Sequence, residues 1–66
     1  MKIQHDRYVI ATKAYPIQFD DGSGYSVDEI DKAMMWFTQQ YAEEELKKFD
    51  EPEEYKIIKV KVSYEF

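Results

Sequence analysis

Carboxylates are the most concentrated chemical groups in this 66-residue sequence, and they fall in one stretch. Residues 20–54 hold twelve Asp and Glu against three Lys, a net charge of −9, whereas the flanking residues hold six bases against two acids, a net charge of +4. The two values sum to the −5 of the whole chain. Paired carboxylates can act as acid and base in hydrolysis, but only in a cleft that holds them in unlike environments. An acidic stretch in so small a protein instead favours attraction of a basic partner.

Residues suited to other chemistry are scarce. The chain has no cysteine, and its one histidine, His5, lies in a predicted turn near the N-terminus, so no hydroxyl has an evident base to activate it. The loop 20–24 (DDGSG) lacks the alternating ligands and final Glu of an EF-hand, and it lacks the GxxxxGK[ST] spacing of a phosphate-binding loop. The sequence therefore predicts a protein that is not an enzyme and has no catalytic residue, metal site or cofactor.

Trp36 is the strongest candidate for a binding residue. It is the only tryptophan of the chain, and helical spacing places it on the polar side of a predicted helix. Tryptophan is over-represented among residues that dominate binding energy. Beside it we define an acidic ridge, residues 43–54. The sequence predicts a partner-binding surface made of Trp36, Gln40, Glu43, Glu44, Asp50, Glu51, Glu53 and Glu54.

Each part of this surface also has a structural interpretation, which the sequence leaves open. Loop 16–25 could fold over Trp36 and make it part of the core, or the ring could lie at a homodimer contact. Glu43 and Glu44 each precede a lysine by four residues, which is the favourable order for ion pairs on a helix. The ridge could therefore be no more than a solvated helix face.

One long helix is predicted to carry Trp36. Ser26 followed by Glu29 matches a capping box, in which each side chain bonds the backbone N–H of the other residue. Lysines and then a proline near residue 50 suit the end of a helix, so residues 27–49 are predicted to be helical. Two apolar stripes follow from the helical period. The first, predicted to face the sheet, is Ile30, Ala33, Met34, Phe37 and Tyr41; the second is Met35, Ala42, Leu46 and Phe49.

Strands are predicted on both sides of this helix. Residues 7–15 alternate and are rich in β-branched and aromatic side chains, and residues 1–4 are predicted to form a short partner strand through a turn at His5-Asp6. Residues 55–66 alternate most clearly, with lysines along one face that suit an edge strand. The predicted fold class is α+β in a single domain, residues 1–66. It is a small antiparallel sheet of two to three strands packed by one long α-helix, in β(β)αβ order.

Size and composition limit the core. A chain this short buries only about 60% of the surface that its unfolded form exposes, and no disulfide is available to stabilise it. Its eleven aromatic residues are enough to build a core. Their combined surface could also be more than one small core can bury. The first residues lack the apolar segment of a signal peptide, and no run approaches the ~20 apolar residues of a membrane span. The sequence predicts a cytoplasmic protein that does not enter a membrane.

Residues 35–43 (MWFTQQYAE) resemble a segment of the Dmd antitoxin family of T4-type bacteriophages. The shared features are the Trp, the Thr and the Gln-Tyr-Ala-Glu run, followed by a strand at the C-terminus. The resemblance implies a phage-encoded protein that blocks a host toxin ribonuclease by occupying its active-site region. It assigns no residue of this chain a role.

The predicted function is that of a non-catalytic, phage-encoded inhibitor, like other small acidic phage proteins. Its partner would be a larger host or defence enzyme with a basic surface, of the toxin nuclease, CRISPR effector or polymerase type. Nucleic-acid mimicry and steric occlusion both stay open. One alternative is a homodimeric structural or interaction protein whose C-terminal strands pair or whose second apolar stripes pack together. The other is a nucleic-acid-binding module that uses Arg7, Lys13, Lys59 and Lys61, which the acidic stretch disfavours.

Overall fold

A four-stranded antiparallel sheet dominates the computed structural model, which describes residues 1–66. The strands lie in the order β3-β2-β1-β4, so β1 is central and β4 is an edge. A single α-helix, α1, packs on β1 and β4. The strands are β1 (Lys2–Thr12), β2 (Phe19–Asp20), β3 (Ser26–Val27) and β4 (Tyr55–Glu65), the helix is α1 (Gln39–Leu46), and Ile30–Lys32 and Pro52–Glu54 form short 3-10 turns.

The predicted long helix is wrong, and with it the predicted fold class. The sheet has four strands, and α1 spans only 8 residues. Ser26, the predicted cap, lies in β3. The actual cap is Thr38, whose hydroxyl accepts a hydrogen bond from the backbone N–H of Tyr41 at 3.1 Å. A β-branched hydroxyl residue with extended backbone directly before a helix is a favoured N-cap.

The stretch before Thr38 is not helical because its backbone groups bond to the sheet. The N–H of Met34 donates to the carbonyl of Asp20 at 2.9 Å. Trp36 and Tyr8 exchange two backbone hydrogen bonds of 2.8 and 2.9 Å, so Trp36 extends the sheet beside β1. These contacts replace the bonds that a helix would make, and tertiary pairing outweighs the helical period of the apolar residues. The first predicted stripe therefore does not exist as a face: Phe37 is 74% and Tyr41 54% exposed.

The two long strands pair along their whole lengths. Their register runs without interruption from Lys2 opposite Glu65 to Thr12 opposite Tyr55. The predicted turn at His5-Asp6 and the separate strand 1–4 are wrong, because β1 passes straight through these residues. The prediction of a strand over 55–66 is confirmed for Tyr55–Glu65, and so is its place at an edge. Alternation identified β4 because one of its faces is apolar and the other is rich in lysine.

The core is small and lies at one end of the long strands. Its fully buried apolar residues are Val9, Ile10 and Ala11 on β1 and Ala42 on α1. The far end of the ladder, residues 2–6 with 61–65, is a two-stranded ribbon that makes the molecule 42 Å long. The chain exposes 5046 Å², about 600 Å² more than the usual area for a folded chain of 8.0 kDa. No helix is long and apolar enough to cross a membrane.

Candidate functional site

Trp36 is half-buried in an extended segment, and it does not lie on the outer face of a helix as predicted. Its indole stacks on the ring of Tyr41, with centroids 5.3 Å apart and planes 17° from parallel. The indole N–H is buried and has no hydrogen-bond acceptor. A buried donor without an acceptor costs about 1–3 kcal/mol, so the indole N–H lowers the stability of the fold.

An open cleft of about 510 Å³ lies beside Trp36. Loop residues 20–26 supply part of its lining, and the end of α1 with the turn that follows it supplies another part. Tyr55 completes the lining, and its ring meets that of Phe49 edge to face at 4.9 Å. Loop 16–25 therefore contributes Asp20, Gly22, Gly24 and Tyr25 to this cleft, and it leaves part of the Trp36 surface exposed.

The cleft is acidic. Four of its lining residues are acids and one is a base, a net charge of −3 when all are ionised: Asp20, Glu45, Asp50, Glu51 and Lys48. Lys48 is engaged already, since its ammonium donates to the Glu45 carboxylate at 3.0 Å. The remaining negative charge has no counter-ion within the chain.

Asp20 is the buried member of this group, with 9% of its surface exposed. Burial raises the pKa of its carboxyl above the ordinary value, a hydrogen bond from the Gly22 backbone opposes that change, and the nearby charges of Asp21 and Glu45 add to it. Burial therefore destabilises the ionised form of Asp20 relative to its protonated form. A cation bound in the cleft would stabilise the ionised form.

Loop 20–24 owes its shape to Asp21 and two glycines. Both the backbone N–H and the hydroxyl of Ser23 donate to the Asp21 carboxylate, at 2.9 and 2.6 Å, and these bonds lower the pKa of Asp21. Gly22 and Gly24 both have positive φ, at 87° and 97°. This Asp side chain closes a turn, and no group of three or more metal-ligating side chains forms a cluster in the structure.

Gly22→Ala is expected to destabilise the protein more than Gly24→Ala. Both changes place a Cβ at positive φ, which costs about 1–2 kcal/mol. A Cβ at Gly22 would also lie 3.2 Å from Met34, whereas one at Gly24 meets nothing within 4 Å. Urea unfolding followed by Trp36 fluorescence measures the stability of both variants. Equal losses of stability would mean that the close approach of the added Cβ to Met34 costs nothing.

The structure divides the predicted partner-binding residues into two sets. Trp36, Asp50 and Glu51 line the cleft. The other five, Gln40, Glu43, Glu44, Glu53 and Glu54, are exposed but lie outside its lining. Glu45, which the predicted ridge contains but the predicted contact residues do not, also lines the cleft, and the sequence missed Asp20, Tyr25 and Tyr55. No local pattern marks them, because the folding of loop 20–26 brings them together.

The ion pairs proposed to neutralise the ridge do not form. Lys48 pairs with Glu45 three residues before it, and not with Glu44 four residues before it. Glu43 accepts a hydrogen bond from the side-chain amide of Gln39 at 3.3 Å, and Lys47 forms no ion pair. The ridge therefore carries exposed carboxylates without partners, beside a cleft of the same sign.

A second, apolar recess of about 190 Å³ adjoins the other side of the same segment. It is lined by Met34, Met35, Trp36, Phe37 and Tyr41. The guanidinium of Arg7 lies 4.6 Å from the centre of the Phe37 ring, a cation–π contact that holds this side chain on the strand. Trp36 thus separates an acidic cleft from an apolar recess.

This arrangement stands without a relative to compare it with: no family model matches the chain, and neither a curated protein nor a solved structure shows significant similarity to it.

Proposed function

We propose that this protein is a non-catalytic inhibitor that binds the basic surface of a larger enzyme through the acidic ridge and the cleft beside Trp36. The observation that carries the proposal is the cleft itself. It combines unpaired carboxylates, aromatic side chains and a buried indole N–H that lacks an acceptor. The carboxylates of Asp50 and Glu51 have no counter-ion within the chain, and a basic partner would supply one.

A basic side chain of the partner, arginine above all, suits the cleft. A guanidinium is planar, stacks on aromatic faces and bonds carboxylates in pairs, so it can use Trp36 or Tyr55 together with Asp50 and Glu51. Arrival of the cation would also favour the ionised form of Asp20.

The ridge outside the cleft would act earlier, during approach. Charges that have no partner in the free protein steer a partner of opposite sign and raise the association rate at low salt. Surfaces of this sign on the target are typical of enzymes that handle nucleic acid, since such enzymes must bind phosphates. The class of target therefore stays that of a nuclease, a CRISPR effector or a polymerase, and a cytoplasmic, phage-encoded inhibitor remains part of the proposal.

The geometry favours this function over direct binding of nucleic acid. The β1–β4 register puts Lys59 and Lys61 on one face of the ribbon and Arg7 and Tyr64 on the other. Lys59 lies 3.5 Å from the Asp6 carboxylate, and Arg7 lies over the Phe37 ring. The bases and rings that would be needed to bind one strand of nucleic acid are therefore split between two surfaces.

Reversing two cleft charges is expected to weaken binding of an arginine peptide at least about tenfold. The variant is Asp50→Lys with Glu51→Lys, and the probe is a hexaarginine peptide followed by the emission of Trp36, the only tryptophan. The matched control, Asp28→Lys with Asp31→Lys, makes the same change in net charge at exposed sites outside the cleft. Equal losses of peptide affinity in the two variants would show that the effect comes from net charge alone and not from the cleft.

The inhibitory role is tested with the same pair of variants. Wild-type protein immobilised on beads should retain an enzyme from lysate of its host cells, and the Asp50/Glu51 variant should lose it while the Asp28/Asp31 variant keeps it. The retained enzyme should then lose activity in proportion to added protein. A retained enzyme whose activity is unchanged at saturation would contradict inhibition and leave only binding.

A further inference from the structure

The outer edge of β4 carries backbone groups that nothing in the chain bonds. The N–H of Phe66 donates to Met1, and the N–H of Lys13 donates to Glu54, so the even-numbered residues of β4 bond to β1. Successive residues of a strand direct their N–H and C=O to opposite sides. The outward N–H and C=O groups therefore belong to the odd-numbered residues Lys59, Lys61, Ser63 and Glu65. They point away from β1, and the sheet has no further strand on that side.

The side chains of this strand alternate as well. Ile58, Val60, Val62 and Tyr64 share one face, which we call the apolar face of β4, and Phe66 continues it. Tyr64 is 51% and Phe66 80% exposed. At about 200 Å² for each aromatic side chain, these two alone leave about 260 Å² uncovered. A two-stranded ribbon is at best marginally stable in water, so both its edge and its apolar face gain from a neighbour.

We propose that the edge of β4 binds a second copy of this chain, antiparallel about a two-fold axis at Val62. In this register Lys59 lies opposite Glu65 of the second copy, and Lys61 lies opposite Ser63 of the second copy. By symmetry each of these pairs occurs twice. All four are hydrogen-bonded pairs that exchange both backbone bonds, because only outward-pointing residues take part.

The apolar faces join in the same register. Val62 lies opposite its own copy, Val60 opposite Tyr64, and Ile58 opposite Phe66. Pairs of an aromatic with a β-branched side chain are among the favourable cross-strand neighbours. The dimer thus covers part of the two most exposed aromatic rings of the ribbon and continues the sheet through the two-fold axis.

Charge disfavours two of the neighbouring registers. Centring the pair on Lys61 places that lysine opposite itself, and centring it on Val60 places Lys59 opposite Lys61. Centring it on Ser63 keeps an opposite-charge pair, Lys61 with Glu65, but within residues 58–66 it aligns three hydrogen-bonded pairs in place of four. Sliding one strand past the other by a single residue would place odd-numbered residues opposite even-numbered ones. The outward N–H and C=O groups would then lack partners, and the apolar side chains of one copy would lie beside the lysines of the other. Like charges directly opposite each other destabilise a sheet, so the sequence favours one way of pairing with itself.

The self-complementary pattern identifies the occupant as a second copy. An isologous contact needs a surface on which residue i meets j while j meets i, and the Lys59–Glu65 pairing satisfies this with residues of one strand. The chain exposes about 600 Å² more than the usual area for its mass, which is a large part of the roughly 800 Å² that each partner buries in a standard interface. This inference does not rest on the proposed function, because the cleft lies outside residues 58–66.

Two single variants and their mixture test the register. Glu65→Lys opposes Lys59 with a lysine, and Lys59→Glu opposes Glu65 with a glutamate, so each alone should raise the dimer dissociation constant about tenfold or more. Mixed together, they restore both opposite-charge pairs in a heterodimer. Sedimentation equilibrium at a concentration near the wild-type dissociation constant should give a mean mass well above 8.0 kDa for wild type and for the mixture, and a mass close to 8.0 kDa for each variant alone. Monomeric wild type at every concentration would overturn the dimer, and dimeric single variants would overturn this register.

Amide hydrogen exchange gives a second readout that a folding defect would not imitate. The inward amides of Val60 and Val62 are bonded to β1 and should exchange slowly at any concentration. The outward amides of Lys61 and Ser63 should become protected only as concentration rises over about a hundredfold range. Ser63→Pro removes one outward donor and leaves the backbone bonds between β1 and β4 in place, although it loses the exposed bond from the Gln4 side chain to the Ser63 hydroxyl. It should abolish that protection. Outward amides that exchange freely at the highest concentration would overturn the proposal.

Discussion

Replacing Ile10 by alanine is expected to remove most of the stability of this protein. Ile10 is completely buried at the centre of the sheet and is one of the two largest side chains that are. Truncation of a buried isoleucine costs about 2–5 kcal/mol. At the usual 0.05–0.15 kcal/mol per residue, a chain of 66 residues is stable by about 3–10 kcal/mol, so a single change reaches the same scale. Urea unfolding followed by far-UV circular dichroism measures the loss.

Ile3→Ala is the matched control for this experiment. It removes the same atoms from the same strand, but Ile3 lies in the ribbon and is 37% exposed. Its loss is expected to be less than half of that at Ile10, because little apolar surface returns to water and no cavity forms. Equal losses at the two positions would show that the ribbon, and not the end of the sheet under α1, holds the core.

Trp36→Ala is expected to destabilise the protein by about 2–3 kcal/mol, below the 3–5 kcal/mol typical of a fully buried aromatic. The indole is half-buried, stacks on Tyr41 and lines both recesses. An exposed tryptophan on a helix, as the sequence predicted, could be truncated with the fold intact. The Trp36 ring lies between two recesses, so its truncation disturbs the fold. Loss of binding in Trp36→Ala could therefore come from unfolding as well as from a lost contact with the partner.

Trp36→Phe separates the two roles of the ring. Phenylalanine keeps an aromatic face for Tyr41 and removes the N–H that has no acceptor, so part of the lost packing is offset by removal of a donor whose burial costs about 1–3 kcal/mol. We expect the free energy of unfolding of this variant to lie within about 1 kcal/mol of the wild-type value. We also expect it to bind the hexaarginine peptide more weakly than wild type does. For this variant peptide binding is measured by calorimetry, since its fluorescence is lost. Unchanged affinity would show that the indole N–H takes no part in recognition.

The strands illustrate what a sequence of this kind can predict. Regular alternation from residue 55 onward identified β4, because an edge strand with one apolar face satisfies local and tertiary preferences together. In the middle of the chain these preferences conflict. Residues 27–38 have an apolar period and a cap signal that suit a helix, yet Met34 and Trp36 bond to distant backbone groups. Pairing over such a distance leaves no trace in the local pattern.

The same limit applies to the candidate site. Asp50 and Glu51 were identified by charge alone, and Trp36 by its rarity. Asp20 and Glu45 join them only because loop 20–26 turns at two glycines of positive φ and lies beside the end of α1. The segment 35–43 that resembles the phage antitoxins is also divided, since it begins in the extended stretch and ends inside α1. No helix contains the whole motif.

The pairing of β1 with β4 also constrains how the protein can fold. Each contact of that ladder joins residues between 43 (Thr12 with Tyr55) and 63 (Lys2 with Glu65) positions apart, which is almost the greatest separation a chain of this length allows. High contact order slows folding, because the entropy of closing a long loop is lost before any contact rewards it. Val9 and Ile10 therefore stay exposed until Tyr55–Glu65 has left the ribosome. This domain should fold only once Tyr55–Glu65 is available, in milliseconds or longer, and its early strand needs protection from aggregation until then.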